Sequence, residues 1–225
     1  MILAIVTYIA CVIFLGRFAW HVLSWARAAR NLPTGAFSKK ASSGIIAETL
    51  LDIILFRRLF RTNKLLWAAS WTFHACLLLV VLRHLRYFMY PVPGVIISVQ
   101  PAGLYAGYVL PFSLLLILIM RITILKDRYV SFYNYYLITV LFLISSTGVL
   151  METSLRTNLV DIKAYILGIV SFAPGSAPGS FLFIVHFILV LLLISSLPFH
   201  LIAAPIVTMV ARRREDELDM VLHEK

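Results

Sequence analysis

The sequence predicts an all-α integral membrane protein: a bundle of five transmembrane helices with the N-terminus outside and the C-terminus in the cytoplasm (N-out/C-in). Three observations predict it. The apolar fraction is 61% and the charged fraction 13%, whereas a soluble domain runs near ~45–50% and ~25%. Five apolar runs reach the ~20 residues that a helix needs to cross a hydrocarbon core. The basic residues gather in alternate connections between those runs, which is the positive-inside pattern. The composition excludes a disordered chain and an ordinary soluble enzyme. The net charge of +10 is read as loop bias, with no nucleic-acid partner, because the basic residues lie between or beside the apolar runs.

The whole chain, 1–225, is read as one membrane domain. Span one is about 2–25, interrupted late by Arg17 and His21; it lacks a basic n-region and is too long for a signal peptide. Span two is 65–87, with no Asp, Glu, Lys or Arg before Arg83. Span three, 102–120, contains Pro111, and span four is 129–151. Span five, 181–210, exceeds one membrane thickness. The apolar stretch 165–172 is too short to span, is cut off by the Pro/Gly/Ser loop 174–179, and is expected at the interface. Cys11 and Cys76 both lie in apolar runs and are read as small packing residues.

Loop charge sets the direction. The connection after span one holds Arg27, Arg30, Lys39, Lys40, Arg57, Arg58, Arg61 and Lys64. The connection after span three holds Arg121, Lys126 and Arg128, and the tail holds Arg212, Arg213, Arg214 and Lys225. All three fall on one side of a five-span chain, the cytoplasmic side. Within the first connection, residues 45–60 mix apolar side chains with Glu48, Asp52, Arg57 and Arg58. An amphipathic helix on the lipid surface and a docking face for a soluble partner subunit fit this pattern equally.

Four histidines lie at membrane depth: His74 and His84 on span two, His186 and His200 on span five. Ionisable groups there are costly and usually functional. His21 is read as interfacial and His223 as solvated. His74 and His84 are separated by about 15 Å of helix rise and turned by about 80°; His186 and His200 by about 21 Å and about 40°. Each pair therefore projects from broadly one side of its helix at two depths. On antiparallel spans His84 matches His186 and His74 matches His200, with Pro198 able to bend the chain and absorb part of the difference in rise.

Zinc and di-iron sites need ligands converging on one point, which residues that far apart on one helix cannot do. A proton relay needs carboxylates at depth, and spans two to five hold none before Glu152. Two b-type haems, each taking one imidazole from each face, fit the pattern. Both axial positions are then filled, which favours electron transfer. No Cys-x-x-Cys-His is present, so covalent haem attachment is excluded. The alternative is a haem-free membrane anchor or transporter component whose histidines hydrogen-bond between helices; it does not require pairing at two depths.

These residues resemble a family. Phe73-His74 followed by His84, and Leu197-Pro198-Phe199-His200 followed by Pro205, are similar to the gamma subunit of respiratory nitrate reductase, a di-haem cytochrome b that takes electrons from quinol. The sequence departs from that pattern in three places. Its last span is about one turn shorter between Phe199 and His200, Arg83 replaces a small residue, and the family's basic residue near the quinol has no counterpart. The run His84-Leu85-Arg86-Tyr87-Phe88, then Pro91-Val92-Pro93, looks closer to the haem-b M subunit of the Dsr transmembrane complex, which serves sulfite reduction or sulfur oxidation. The haem subunit of membrane-bound heterodisulfide reductase is a related branch.

The resemblance implies the quinone-interacting electron-transfer subunit of an oxidoreductase complex in the cytoplasmic membrane of a prokaryote. That subunit has no substrate-reducing site of its own. A menaquinone-like quinol would bind near the outer haem. Electrons would pass from the His84/His186 haem to the His74/His200 haem and on to a cytoplasmic iron–sulfur subunit. Arg83, Arg86 and Tyr87 are candidates for quinone or haem-propionate contact; snorkelling to the interface explains each of them as well. Arg17 and Arg121 are inner-side propionate candidates that positive-inside bias also explains.

Overall fold

The computed structural model describes residues 1–30, 50–123 and 131–201. The described residues are helical with no strand. In chain order the elements are α1 (Ile2–Arg30), α2 (50–55), α3 (Arg57–Thr62), α4 (Lys64–His84, continued by a 3₁₀ turn Leu85–Tyr87), α5 (Gly94–Thr123), α6 (Phe132–Thr153), α7 (Leu159–Val170) and α8 (Phe181–Leu201). Five of them, α1, α4, α5, α6 and α8, are long and apolar enough to cross a membrane.

The expected spans match these helices, with one clear difference at the ends. Span three begins at Gly94 instead of 102, because the Pro93 carbonyl accepts from Ile96 N and Ile97 N at 3.0 and 3.2 Å and so starts the helix there. Pro101 then sits inside α5 and removes only one backbone bond. At 30 residues α5 is about 45 Å long. The end of span five beyond 201, and residues 45–49 of the amphipathic segment, lie outside the described residues. The rest of that segment is two short helices, separated at Phe56, whose φ of 49° is left-handed. Asp52 is buried there.

The chain divides into two compact units. The first comprises residues Met1–Ala10 and Leu65–Leu193. Its α5 carries a buried stripe (Gly103, Ala106, Leu110, Ser113, Leu114, Ile117, Met120) at three- and four-residue spacing, and this helix pairs with α6. Small residues let helix backbones approach, which matters where lipid is as apolar as the side chains. An alanine Cβ at Gly103 would stand 2.7 Å from Arg83 Cβ and 2.9 Å from the Leu79 carbonyl oxygen. Gly103 and Gly107 form a Gly-x-x-x-Gly step facing α4, although Gly107 has only Val80 Cγ2 nearby, at 3.9 Å.

The stretch expected at the interface, 165–172, overlaps the second half of α7, whose apolar face is packed inside protein. Asn158 caps it by accepting from Val160 N at 3.0 Å, with Asp161 in the first turn. Ile162, Tyr165 and Ile166 bury themselves against Phe183 of α8, with Leu3, Tyr87, Met151 and Phe187 around them. Tyr8 of α1 ties in by donating to the Ile169 carbonyl at 3.0 Å. Of the two cysteines, Cys76 is buried and Cys11 is exposed.

The second unit comprises Cys11–Lys64 and Ile194–Lys225. Pro198 leaves the Ile194 carbonyl without its helical donor. One residue on, the Ser195 carbonyl accepts from Arg17 Nη1 at 3.2 Å. His21 meets the Phe199 ring edge-on at 5.6 Å.

Candidate functional site

Four helices bring polar groups to one end of the first unit. Arg83 and His84 close α4, Gln100 is near the start of α5, Thr147, Gly148 and Glu152 lie on the last turns of α6, and His186 is in the first half of α8. Their contacts tie the elements together. Arg83 Nη2 donates to Glu152 Oε2 at 3.2 Å. Gln100 Nε2 donates to the Arg83 carbonyl at 3.3 Å. His186 Nδ1 stands 3.0 Å from Thr147 Oγ1.

The hydrogen bonds fix the histidine tautomers. His84 Nδ1 is 2.7 Å from the Val80 carbonyl, and His74 Nδ1 is 2.7 Å from the Ser70 carbonyl. A carbonyl only accepts, so in both rings Nδ1 carries the proton and Nε2 is the lone-pair nitrogen. Thr147 spends its own proton on the Leu143 and Ile144 carbonyls at 2.8 and 2.9 Å. Its oxygen therefore accepts from His186 Nδ1–H, and Nε2 is again the lone-pair atom. His84 and His186 lie within electrostatic reach of each other.

His84 and His74 share a face. His74, Leu78, Val81 and His84 are exposed at the three- and four-residue spacing of one helical stripe. Gly148 makes room on the α6 side: a Cβ there would stand 3.4 Å from His186 Cε1.

The other predicted residues divide. Arg83 is held by Glu152, with its stem against Gly103. Arg86 folds over the Tyr87 ring at 4.8 Å and donates from Nη2 to Tyr87 Oη at 2.6 Å. Tyr87 also meets the His84 ring edge-on at 5.9 Å. Arg121 is at the far end of α5, where its carbonyl accepts from Tyr135 Oη at 3.4 Å. His200, exposed near the end of α8, and Arg17 belong to the second unit. Among the described residues no three His, Cys, Asp or Glu side chains gather as a metal cluster.

Sequence reasoning missed Thr147, Gly148 and Gln100. The run Ser145-Ser146-Thr147-Gly148, small and polar in the middle of an apolar span, is a readable signal for a helix seam. Gln100 had none, because residues 94–101 were read as loop.

Comparison with known proteins agrees with a redox membrane subunit. The chain is 28% identical over 241 aligned positions to the Hdr-like menaquinol oxidoreductase cytochrome b-like subunit of Archaeoglobus profundus, covering 85% of this chain and 71% of the relative. It is 25% identical over 242 positions to the protein of the same description in Archaeoglobus fulgidus, covering 87% and 73%. No family model matches, and no solved structure matches. The chain is thus similar to cytochrome b-like membrane subunits of menaquinol oxidoreductases.

Proposed function

We propose that this chain is a di-haem b subunit that carries electrons from a membrane quinol, menaquinol-like, to a cytoplasmic iron–sulfur partner. The observation that carries the reading is the state of His84 and His186. On two different helices of one unit, each commits Nδ1 to an oxygen and keeps Nε2 as the lone-pair nitrogen at the same end. That donor set would suit a haem iron held by His84 and His186, with the Val80 carbonyl and the Thr147 hydroxyl orienting the rings. His74 has the same tautomer one stripe along α4; with His200 it is the pair that the sequence assigns to a second haem. Bound haem supplies one-electron carriage.

The chain's own residues do the remaining work. Thr147 and the Val80 and Ser70 carbonyls hold the imidazoles in register. The Arg83–Glu152 pair fixes the end of α4 against α6. The N-out reading puts this end outside, so quinol oxidation here releases protons there. Of the three resembled branches, the names of the two relatives favour the heterodisulfide-reductase-like one. The haem-free reading accounts for the His186–Thr147 bond but gives no reason for a second histidine of the same tautomer, His84, at that end.

A pyridine haemochrome assay on the purified protein tests this, together with a reduced-minus-oxidised visible spectrum. Two haems b per chain are expected. A well-folded preparation without haem would overturn the proposal.

A further inference from the structure

One short helix turns its apolar side outward. In α2 (50–55), Leu50, Leu51, Ile54 and Leu55 are exposed, Leu50 at 52% and Ile54 at 61%, while Asp52 is only 8% exposed. At about 100° per residue the four apolar positions share an arc of about 140°, and Asp52 falls outside it. A helix that faces water arranges these residues the other way round. Buried acid and exposed aliphatics suit a helix whose outer surroundings are apolar.

Positive charge follows directly. Arg57, Arg58, Arg61 and Lys64 lie within residues 57–64, and Asp52 is the only acidic residue between 50 and 64. On α3, Arg57, Phe60 and Arg61 are exposed at the three- and four-residue spacing of one face. Asn63 N–H donates to the Leu59 carbonyl at 2.8 Å and closes α3. Asn63 has extended backbone and is the single residue between α3 and α4. Lys64, the first residue of α4, holds Nζ 5.9 Å from the centre of the Phe60 ring, and Leu65 beside it is exposed. Because α4 is long and apolar enough to cross a membrane, the basic cluster stands where the chain enters hydrocarbon.

We propose that residues 50–64 bind anionic phospholipid. The apolar face of α2 and the Phe60 ring sit at the boundary of headgroups and acyl chains, and Arg57, Arg61 and Lys64 take the lipid phosphates. A short amphipathic segment lies in the interface in this way, and a run of four basic residues beside a span is drawn to an anionic surface. The guanidinium fork matches phosphate oxygens. A soluble partner fits less well, because the core of a protein interface is depleted of charge. Here two arginines flank the exposed Phe60 on its own face, one residue from a span. The proposal does not depend on the haem reading.

The test reconstitutes the full chain in phosphatidylcholine vesicles with a trace of spin-labelled phosphatidylglycerol or spin-labelled phosphatidylcholine. The immobilised fraction of each label gives the preference of the protein. Wild-type protein prefers phosphatidylglycerol. Arg57→Gln with Arg61→Gln lowers the preference by about fivefold, the scale of one basic residue at an anionic surface. Arg57→Lys with Arg61→Lys keeps the charge and most of the preference. Arg156→Gln with Lys163→Gln removes two charges from another part of the chain and leaves the preference at the wild-type value. Raising salt from about 0.05 M to about 0.5 M weakens the wild-type preference, because the screening length shrinks.

Equal immobilisation of the two labels by wild-type protein would overturn the proposal and leave the face to a soluble partner. An equal loss in the two glutamine pairs would also overturn it, since net charge alone would then account for the preference. The salt series needs no variant, so it decides the matter even where a glutamine pair does not fold: a wild-type preference that survives high salt undiminished would overturn the proposal.

Discussion

α4 carries one histidine at its last position and one at its middle, and its two ends are held in different ways. At the His84 end, polar side chains cross between helices: Arg83 to Glu152 on α6, Gln100 on α5 to the Arg83 carbonyl, and His186 on α8 to Thr147 on α6. The α4–α5 seam toward the opposite end is apolar. Leu65, Ala68, Ala69, Thr72, Val109, Phe112, Ser113 and Leu116 line a groove of about 260 Å³ there. His74, between the two, bonds to its own helix at the Ser70 carbonyl. In lipid, apolar packing alone does little to choose one helix register over another, whereas cross-helix polar contacts and small-residue seams do. The end with the polar ties is thus the one whose geometry is specified residue by residue.

That contrast can be broken from either side. The largest effect belongs to Gly148→Leu. A Cβ at this position already stands 3.4 Å from His186 Cε1, so a branched side chain displaces the ring. Haemochrome quantitation should show one haem of the two lost.

Gly103→Ala comes next. Its Cβ meets the Leu79 carbonyl oxygen at 2.9 Å, a backbone atom that moves only with its helix, and overpacking of this kind costs about 1–3 kcal/mol. Gly107→Ala, with its nearest neighbour at 3.9 Å, should be neutral or slightly stabilising. Thermal unfolding in detergent compares the two; equal midpoints would remove the close α4–α5 approach from the account.

Thr147→Val keeps the shape and removes the acceptor for His186 Nδ1–H. Loss of such a supporting partner should weaken haem binding at this end by about tenfold or more. Haem retention under competition with apomyoglobin measures it, and the haem at the other end serves as the internal control.

The smallest effect is expected at Arg83–Glu152. The two side chains are 16% and 42% exposed, so a double-mutant cycle with Arg83→Gln and Glu152→Gln should give a coupling of about 1 kcal/mol or less. A coupling several times larger would mean that the pair is far drier than its exposure indicates.

The same contrast explains what was legible in the sequence. The five helices followed from the length of the apolar runs, because a membrane leaves helix as the form that satisfies the backbone internally. Span three was given from 102, whereas the helix starts at Gly94, with Pro93 beginning it and Pro101 costing it a single bond. The histidines stood out because charge-bearing groups are rare in such runs. Their partners did not. Arg83 and Glu152 are 69 positions apart, and His186 and Thr147 are 39 apart, so only packing brings them together. Arg83, read as a quinone or propionate candidate or as a snorkelling side chain, ion-pairs with Glu152. Tyr165, in the short stretch expected at the interface, is among the largest fully buried side chains. Burial inside protein and burial at a lipid interface leave the same apolar pattern in a sequence.

The central claim is that His84 and His186 serve one and the same haem. The haem content of His84→Ala, His186→Ala and the double variant tests it most directly. The account predicts that all three hold one haem per chain, because the second substitution removes a ligand from a site already lost. A double variant that holds none while each single variant holds one would place the two histidines on different haems and contradict the account.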